Sequence, residues 1–230
     1  MTKIQLESNL VQWTVRGARS TSEQAHAALT TGSPLLVLMH GYGSNEQDLV
    51  QLAPFLPATL VCASLRAPLT VPGMPGGYAW FPLDPQSLAV LPEDAMGTAA
   101  RAAHAVDRWI DQLSTRVTDA GGVMGPLAVL GFSQGGVMAT SVMRIRPTTV
   151  AAAVVCSGFA APDDPTAELR SEDTRHSGSS AGGAGDRALR ELRPPLFLGA
   201  RRSGSGDCAR SCCGYAAVGA RAHNPHRAGL

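Results

Sequence analysis

Ser133 stands in the run Gly131-Phe132-Ser133-Gln134-Gly135, a G-x-S-x-G spacing suited to nucleophilic chemistry. A serine hydroxyl is a weak nucleophile until geometry and a neighbouring base activate it. The flanking glycines permit a turn so tight that side chains there would strike neighbouring backbone, and such a turn holds Ser133 in a strained conformation that exposes its hydroxyl. A helix beginning immediately afterwards sets its N-terminal amides, Gln134 first, beneath the reacting centre, where they favour negative charge. An ordinary serine-capped turn would carry the same letters. The buried strand expected before this run and the helix expected after it set it apart.

A second run, His40-Gly41-Tyr42-Gly43-Ser44-Asn45, follows another expected strand. A glycine-rich turn at the C-terminal end of a strand can aim a backbone amide into the crevice where open sheets of parallel strands bind ligands. The Tyr42 amide would then supply one donor to an oxyanion and the Gln134 amide the other. His40 invites assignment as the catalytic base. In this arrangement, however, the base follows the last strand, so His40 is read as a brace that hydrogen-bonds within its own loop.

These residues need elements to hold them. Residues 34–39, 126–130 and 150–156 are short, continuous apolar runs bounded by Pro or Gly, as buried parallel strands are, and 59–65 and 195–198 are further candidates. Helical patterns fall between them at 45–56, at 93–117 with Ala99, Ala103, Val106, Ile110 and Leu113 near helical spacing, and at 135–146, which Pro147 stops. Strands alternating with helices predict an α/β fold, a mostly parallel sheet with helices on both faces. Residues 12–16 are expected to add an antiparallel edge strand. Residues 162–187, rich in Asp, Ser and Gly, read as a mobile surface loop, having too little apolar content to offset their ordering entropy.

The 230 residues are 44% apolar and 16% charged, enough to bury one sizeable core. Nineteen basic and eighteen acidic side chains leave a net charge of +1 with no basic block, which argues against a nucleic-acid partner. No apolar run suits a bilayer span, so stable membrane insertion is not expected, and residues 1–9 lack the pattern of a secretory signal; the cytoplasm is the default expectation. No cofactor is called for, and the sequence sets no oligomeric state.

Residues 35–48 (LLVLMHGYGSNEQD), 65–69 (LRAPL), 77–82 (GYAWFP), 131–136 (GFSQGG) and 157–159 (SGF) together resemble the phospholipase/carboxylesterase family of α/β-hydrolases, which includes acyl-protein thioesterases. The resemblance runs from about residue 12 to 199, so residues 1–199 are expected to form the α/β-hydrolase domain. It implies a Ser-His-Asp esterase acting on small carboxylic esters or thioesters, with Ser133 as nucleophile and the Tyr42 and Gln134 amides as oxyanion donors. It also implies a substrate pocket that includes His40, Gly41, Leu69 and Trp80, with residues 65–80 as one wall. Trp80 is open to two readings, pocket wall or core packing.

Past Gly199 the pattern breaks. The family's acid lies in a Gly-x-Asp-Pro-Val type turn after the strand read at 195–198, and its base roughly thirty residues further on, after another helix and strand. Here the chain reads ARRSGSGDCARSCCGYAAVGARAHNPHRAGL, where Asp207, His223 and His226 are poorly spaced substitutes. A change of reading frame accounts for the break. The codons CGG CGA TCC GGT spell Arg201 to Gly204, and the same bases read one step later spell Gly-Asp-Pro-Val. Shifted codons beginning inside Cys208, Cys212 and Cys213 can mean only Ala or Val, and those inside His223, Asn224 and His226 only Thr or Ile. The shifted text becomes an alanine-rich helix followed by a β-branched strand. Residues 200–230 are therefore read as an aberrant, disordered tail. Its Cys and His residues imitate a zinc site without the paired C-x2-C spacing of a reliable one, so no metal is expected. Cys62 and Cys156 read as small buried apolar residues without a disulfide. Two readings follow: a serine esterase, or an impaired scaffold that keeps pocket and nucleophile but lacks its acid and base.

Overall fold

The computed structural model describes residues 4–84, 95–158 and 195–199. A seven-stranded sheet runs in the order β2-β1-β4-β3-β7-β8-β9. Its members are β1 (Gln12–Val15), β2 (Ala18–Ser20), β3 (Leu35–Met39), β4 (Val61–Leu65), β7 (Leu127–Phe132), β8 (Val150–Cys156) and β9 (Leu196–Gly199), while β5 (Leu69–Thr70) and β6 (Tyr78–Ala79) form a separate small hairpin. β4, β3, β7, β8 and β9 pair in parallel. The five buried-strand readings thus correspond to five parallel strands, with ends within two residues of the expected ones. Every residue of β3 and β4 is buried, as an interior parallel strand covered on both faces requires.

The N-terminal edge differs from expectation. β1 pairs antiparallel with β4, but β2 pairs outside it, so β2 rather than residues 12–16 forms the edge. Arg16 at φ 54° and Gly17 at φ 77° make a two-residue turn whose backbone suits a tight hairpin.

Three α-helices cover one face: α1 (Ser22–Thr30), α2 (Ala95–Asp119) and α3 (Gln134–Ile145). The helical reading at 93–117 corresponds to α2, whose Ala99, Ala103, Val106, Ile110 and Leu113 are all buried. These residues join Val37, Met39, Ala63 and Val129 from the sheet in the main core. Alternation along β3 sends Leu36 and Leu38 to the opposite face, where they meet Leu49, Cys62 and Leu130. α1 was not anticipated. Its start is a capping box: Thr21 Oγ1 accepts from the Gln24 amide at 3.3 Å and Gln24 Oε1 accepts from the Thr21 amide at 3.1 Å.

The helix expected at 45–56 is instead a turn followed by a 3-10 helix at Leu49–Phe55. Asn45 Oδ1 accepts from the Gln47 amide at 2.9 Å, and Ser44 donates to Asp48 at 2.8 Å. Side chains that satisfy the local backbone compete with an α-helical start, and Pro54 has no amide with which to continue one. The readings at 162–187 and 200–230 lie outside the described residues. Among the described residues no helix is long and apolar enough to cross a membrane. Cys62 and Cys156 are free, Cys62 buried and Cys156 half-buried.

Candidate active site

Ser133 occupies the junction of β7 and α3 at φ 52°, ψ −115°, a left-handed backbone that a non-glycine residue adopts only under constraint. Three hydrogen bonds hold it there. Its amide donates to Cys156 O at 2.8 Å, and its carbonyl accepts from the amides of Gly136 at 2.8 Å and Val137 at 3.3 Å. Neighbouring strands and the first turn of α3 therefore fix the backbone, leaving the half-buried side chain at the end of the sheet.

The glycines are required by contact. A Cβ at Gly131 would lie 1.9 Å from Gly135 O, and one at Gly135 would lie 1.8 Å from Met39 O and 2.7 Å from His40 O. The second approach seats the start of α3 directly on the end of β3, where the chain enters His40-Gly41-Tyr42-Gly43. Met39 also pairs with Gly131 in the sheet register, and a Cβ at Gly41 would meet the Phe132 ring at 3.1 Å. The two motifs, ninety residues apart in sequence, thus form one structure at the C-terminal ends of β3 and β7. Among the described residues, no hydrogen bond uses the Tyr42 or Gln134 amide. Free backbone donors beside a serine are the groups an oxyanion would need.

His40 is fully buried and has both ring nitrogens engaged. Nε2 accepts from the Ala67 amide at 3.1 Å, which leaves Nδ1 to donate to Gly41 O at 2.8 Å. Burial holds the imidazole below its ordinary pKa, against the opposing effects of Gly41 O and the carboxylates of Glu46 and Asp48. A neutral ring with both nitrogens committed has no lone pair for Ser133, in keeping with its reading as a brace.

The Trp80 side chain is fully buried, and its Nε1 donates to His40 O at 2.9 Å. Leu69, half-buried, sits in β5 opposite Ala79, the residue before Trp80. The Gln134 side chain does a task that sequence reasoning missed. Its Oε1 accepts from the Trp80 amide at 2.8 Å and its Nε2 donates to Phe81 O at 2.6 Å, so the residue after the serine grips the 77–82 motif. A second missed pair is Arg66 with Glu46. Arg66 Nε and Nη2 donate to the two Glu46 oxygens at 2.6 Å each, and the guanidinium lies 4.5 Å above the Tyr78 ring. Burial pushes the Glu46 carboxyl up more than any other single cause, but the bonds from Arg66, the Glu46 backbone amide and Gln47, together with the Arg66 charge, outweigh it and leave the pKa below its ordinary value. Both residues fall inside quoted motifs, yet a separation of twenty positions hides their pairing.

Of the three histidines among the described residues, His40 is committed as above, His26 packs edge-on against Trp13 of β1, and His104 lies on α2. Asp207, His223, His226 and the tail cysteines lie outside the described residues, and so does any partner they would give Ser133.

The Phospholipase/Carboxylesterase family profile matches residues 24–176. Among solved structures, the chain is similar to the esterase PE8 at 25% identity and a TM-score of 0.50, over 76% of this chain and 85% of that one. It is also similar in fold to the carboxylesterase from Mesorhizobium loti, at 16% identity and a TM-score of 0.52 over 88% and 91% of the two chains. For the Bacillus cereus carboxylesterase the values are 14%, 0.51, 87% and 89%. No curated protein matches.

Proposed function

Since the chain belongs to the phospholipase/carboxylesterase family and has its α/β-hydrolase fold, we propose that it is built as a serine hydrolase, cleaving small carboxylic esters or thioesters through an acyl-enzyme on Ser133. The observation that carries this is the strained Ser133 backbone, φ 52°, at a strand-to-helix junction packed against the His40–Gly43 loop. In the reaction, Ser133 Oγ bonds to the substrate's carbonyl carbon while its proton passes to a general base. The carbonyl oxygen becomes an oxyanion that accepts hydrogen bonds from the Tyr42 and Gln134 amides. Collapse breaks the bond to the alcohol or thiol, which leaves with the proton. Water then repeats the sequence on the acyl-enzyme and releases the acid. The base and its orienting carboxylate are expected from the family to follow β9.

In this reading His40, Gly41, Leu69 and Trp80 belong to the acyl pocket, with the buried His40 and Trp80 bracing it. A fluorophosphonate tests the nucleophile: the reading expects one adduct, mapped to Ser133 and absent from Ser133→Ala. An adduct on another residue, or none on a frame-restored chain, would overturn it.

A second reading is favoured by the letters after Gly199, whose shifted frame can spell the acid turn the family requires. Under it, the chain as written is an acyl-binding scaffold with a nucleophile but no matched acid or base. Sequencing the codons for residues 199–204 distinguishes the two through an inserted or lost base.

A further inference from the structure

A cavity of about 210 Å³ lies away from Ser133, where β1, α1, α2 and the short 3-10 helix Ser8–Leu10 meet. Its apolar wall is made by Trp13 and Trp109, two of the chain's three tryptophans, with ring centroids 5.9 Å apart. The His26 ring stands edge-on to Trp13 at 5.6 Å, and Arg116 completes the wall from α2. Asn9 and Gln112 add neutral polar groups.

The charges in this cavity are one-sided. Among the described residues no carboxylate lines it and Arg116 makes no ion pair. The acid nearest in effect is Glu23, fully exposed one turn back on α1, and its influence on His26 is outweighed by burial and then by Arg116, which together hold the imidazole below its ordinary pKa. An unpaired guanidinium beside a second basic ring is the setting that a carboxylate satisfies, since Arg offers two parallel donors to its two oxygens. Two indoles beside it offer planar faces to a ring. Size narrows the choice further. A cavity of roughly 150 Å³ holds benzene, so this one takes a single ring bearing one small charged group.

We propose that this cavity is a binding site for a small aromatic carboxylate, its ring against Trp13 and Trp109 and its carboxylate on Arg116. The site is independent of the hydrolytic centre. β1 stands three places from β7 in the sheet, roughly 14 Å at the usual strand spacing.

The test is a titration of the full chain with sodium benzoate, followed by tryptophan fluorescence and by calorimetry. The expected result is saturable binding with a Kd of about 1 mM or tighter, and binding at least tenfold weaker for benzamide, which lacks the charge, and for acetate, which lacks the ring. Arg116→Gln, an exposed position, should weaken benzoate at least tenfold without moving the urea midpoint, while Ser133→Ala should bind as the parent does. Absence of saturable binding, equal affinity in Arg116→Gln, or loss of binding in Ser133→Ala would each overturn the proposal. The Ser133 reading stands or falls separately, on the fluorophosphonate adduct.

Discussion

At the scale of single residues, His40 ties the site to stability. Its folded pKa lies below the ordinary value of 6.5 because of burial, so between the two values the unfolded chain binds more protons than the folded one. Stability from this source is complete above about pH 6.5 and is lost as pH falls below it. Urea midpoints between pH 7.5 and 5.5 should therefore fall, and His40→Gln should flatten part of that slope, His26 supplying the rest. An unchanged slope in the variant would contradict the buried, neutral assignment. Glu46 makes a separate case. With Glu46 3% and Arg66 26% exposed, Glu46→Gln leaves a guanidinium short of its partner, and the partial exposure of Arg66 limits the cost to about 2 kcal/mol. Chemical denaturation measures it directly, and a change below 0.5 kcal/mol would show the pair to be incidental.

At the scale of elements, the seating of α3 on β3 decides whether the two motifs meet. Gly135→Ala drives a Cβ into Met39 O, backbone that cannot move aside, and should cost about 3 kcal/mol or more by urea unfolding. Gly97→Ala is the control of opposite sign. It lies in α2, where the nearest atom to a new Cβ is the mobile end of Arg101 at 3.4 Å, and the gain should be about 0.5 kcal/mol. The parallel strands were legible because 35–39 and 61–65 are apolar on both faces and so carry a signal in composition alone. α3 was legible from the elbow and from Pro147. α1 was not, since only Ala25 and Leu29 are buried and its signal was the cap at Thr21. The turn at 44–48 was misjudged because apolar spacing suggested a helix while Asn45 and Ser44 bonded locally. Ser133, His40 and the Tyr42 loop could be read from motifs whose chemistry is local in sequence. The grips of Gln134 on residues 80 and 81, and of Arg66 on Glu46, could not, because they join segments that only the sheet brings together.

At the scale of the whole molecule, the sheet gathers the site at the C-terminal ends of its parallel strands, the usual place for a ligand crevice in open α/β sheets. Among the described residues that place holds a serine with a strained backbone, two amides that make no hydrogen bond and a loop tied down by His40. The acid and base that would complete it are expected beyond β9, where the written letters depart from the family. The proposed chemistry thus has two parts, a scaffold that would carry acyl transfer and the groups that would drive it. Its central claim, that Ser133 is the nucleophile of this scaffold, is tested most directly by rates on one activated short-chain ester, such as p-nitrophenyl acetate. Four proteins are compared: the chain as written, a chain restored to the shifted frame after Gly199 and extended to the family's histidine, and the Ser133→Ala variant of each. The restored chain should exceed the written one by about 10⁴-fold or more, the written chain should keep only the faint rate that its oxyanion donors give, and Ser133→Ala should bring the restored chain down to about that same faint level. A restored chain that keeps its rate without Ser133 would contradict the account.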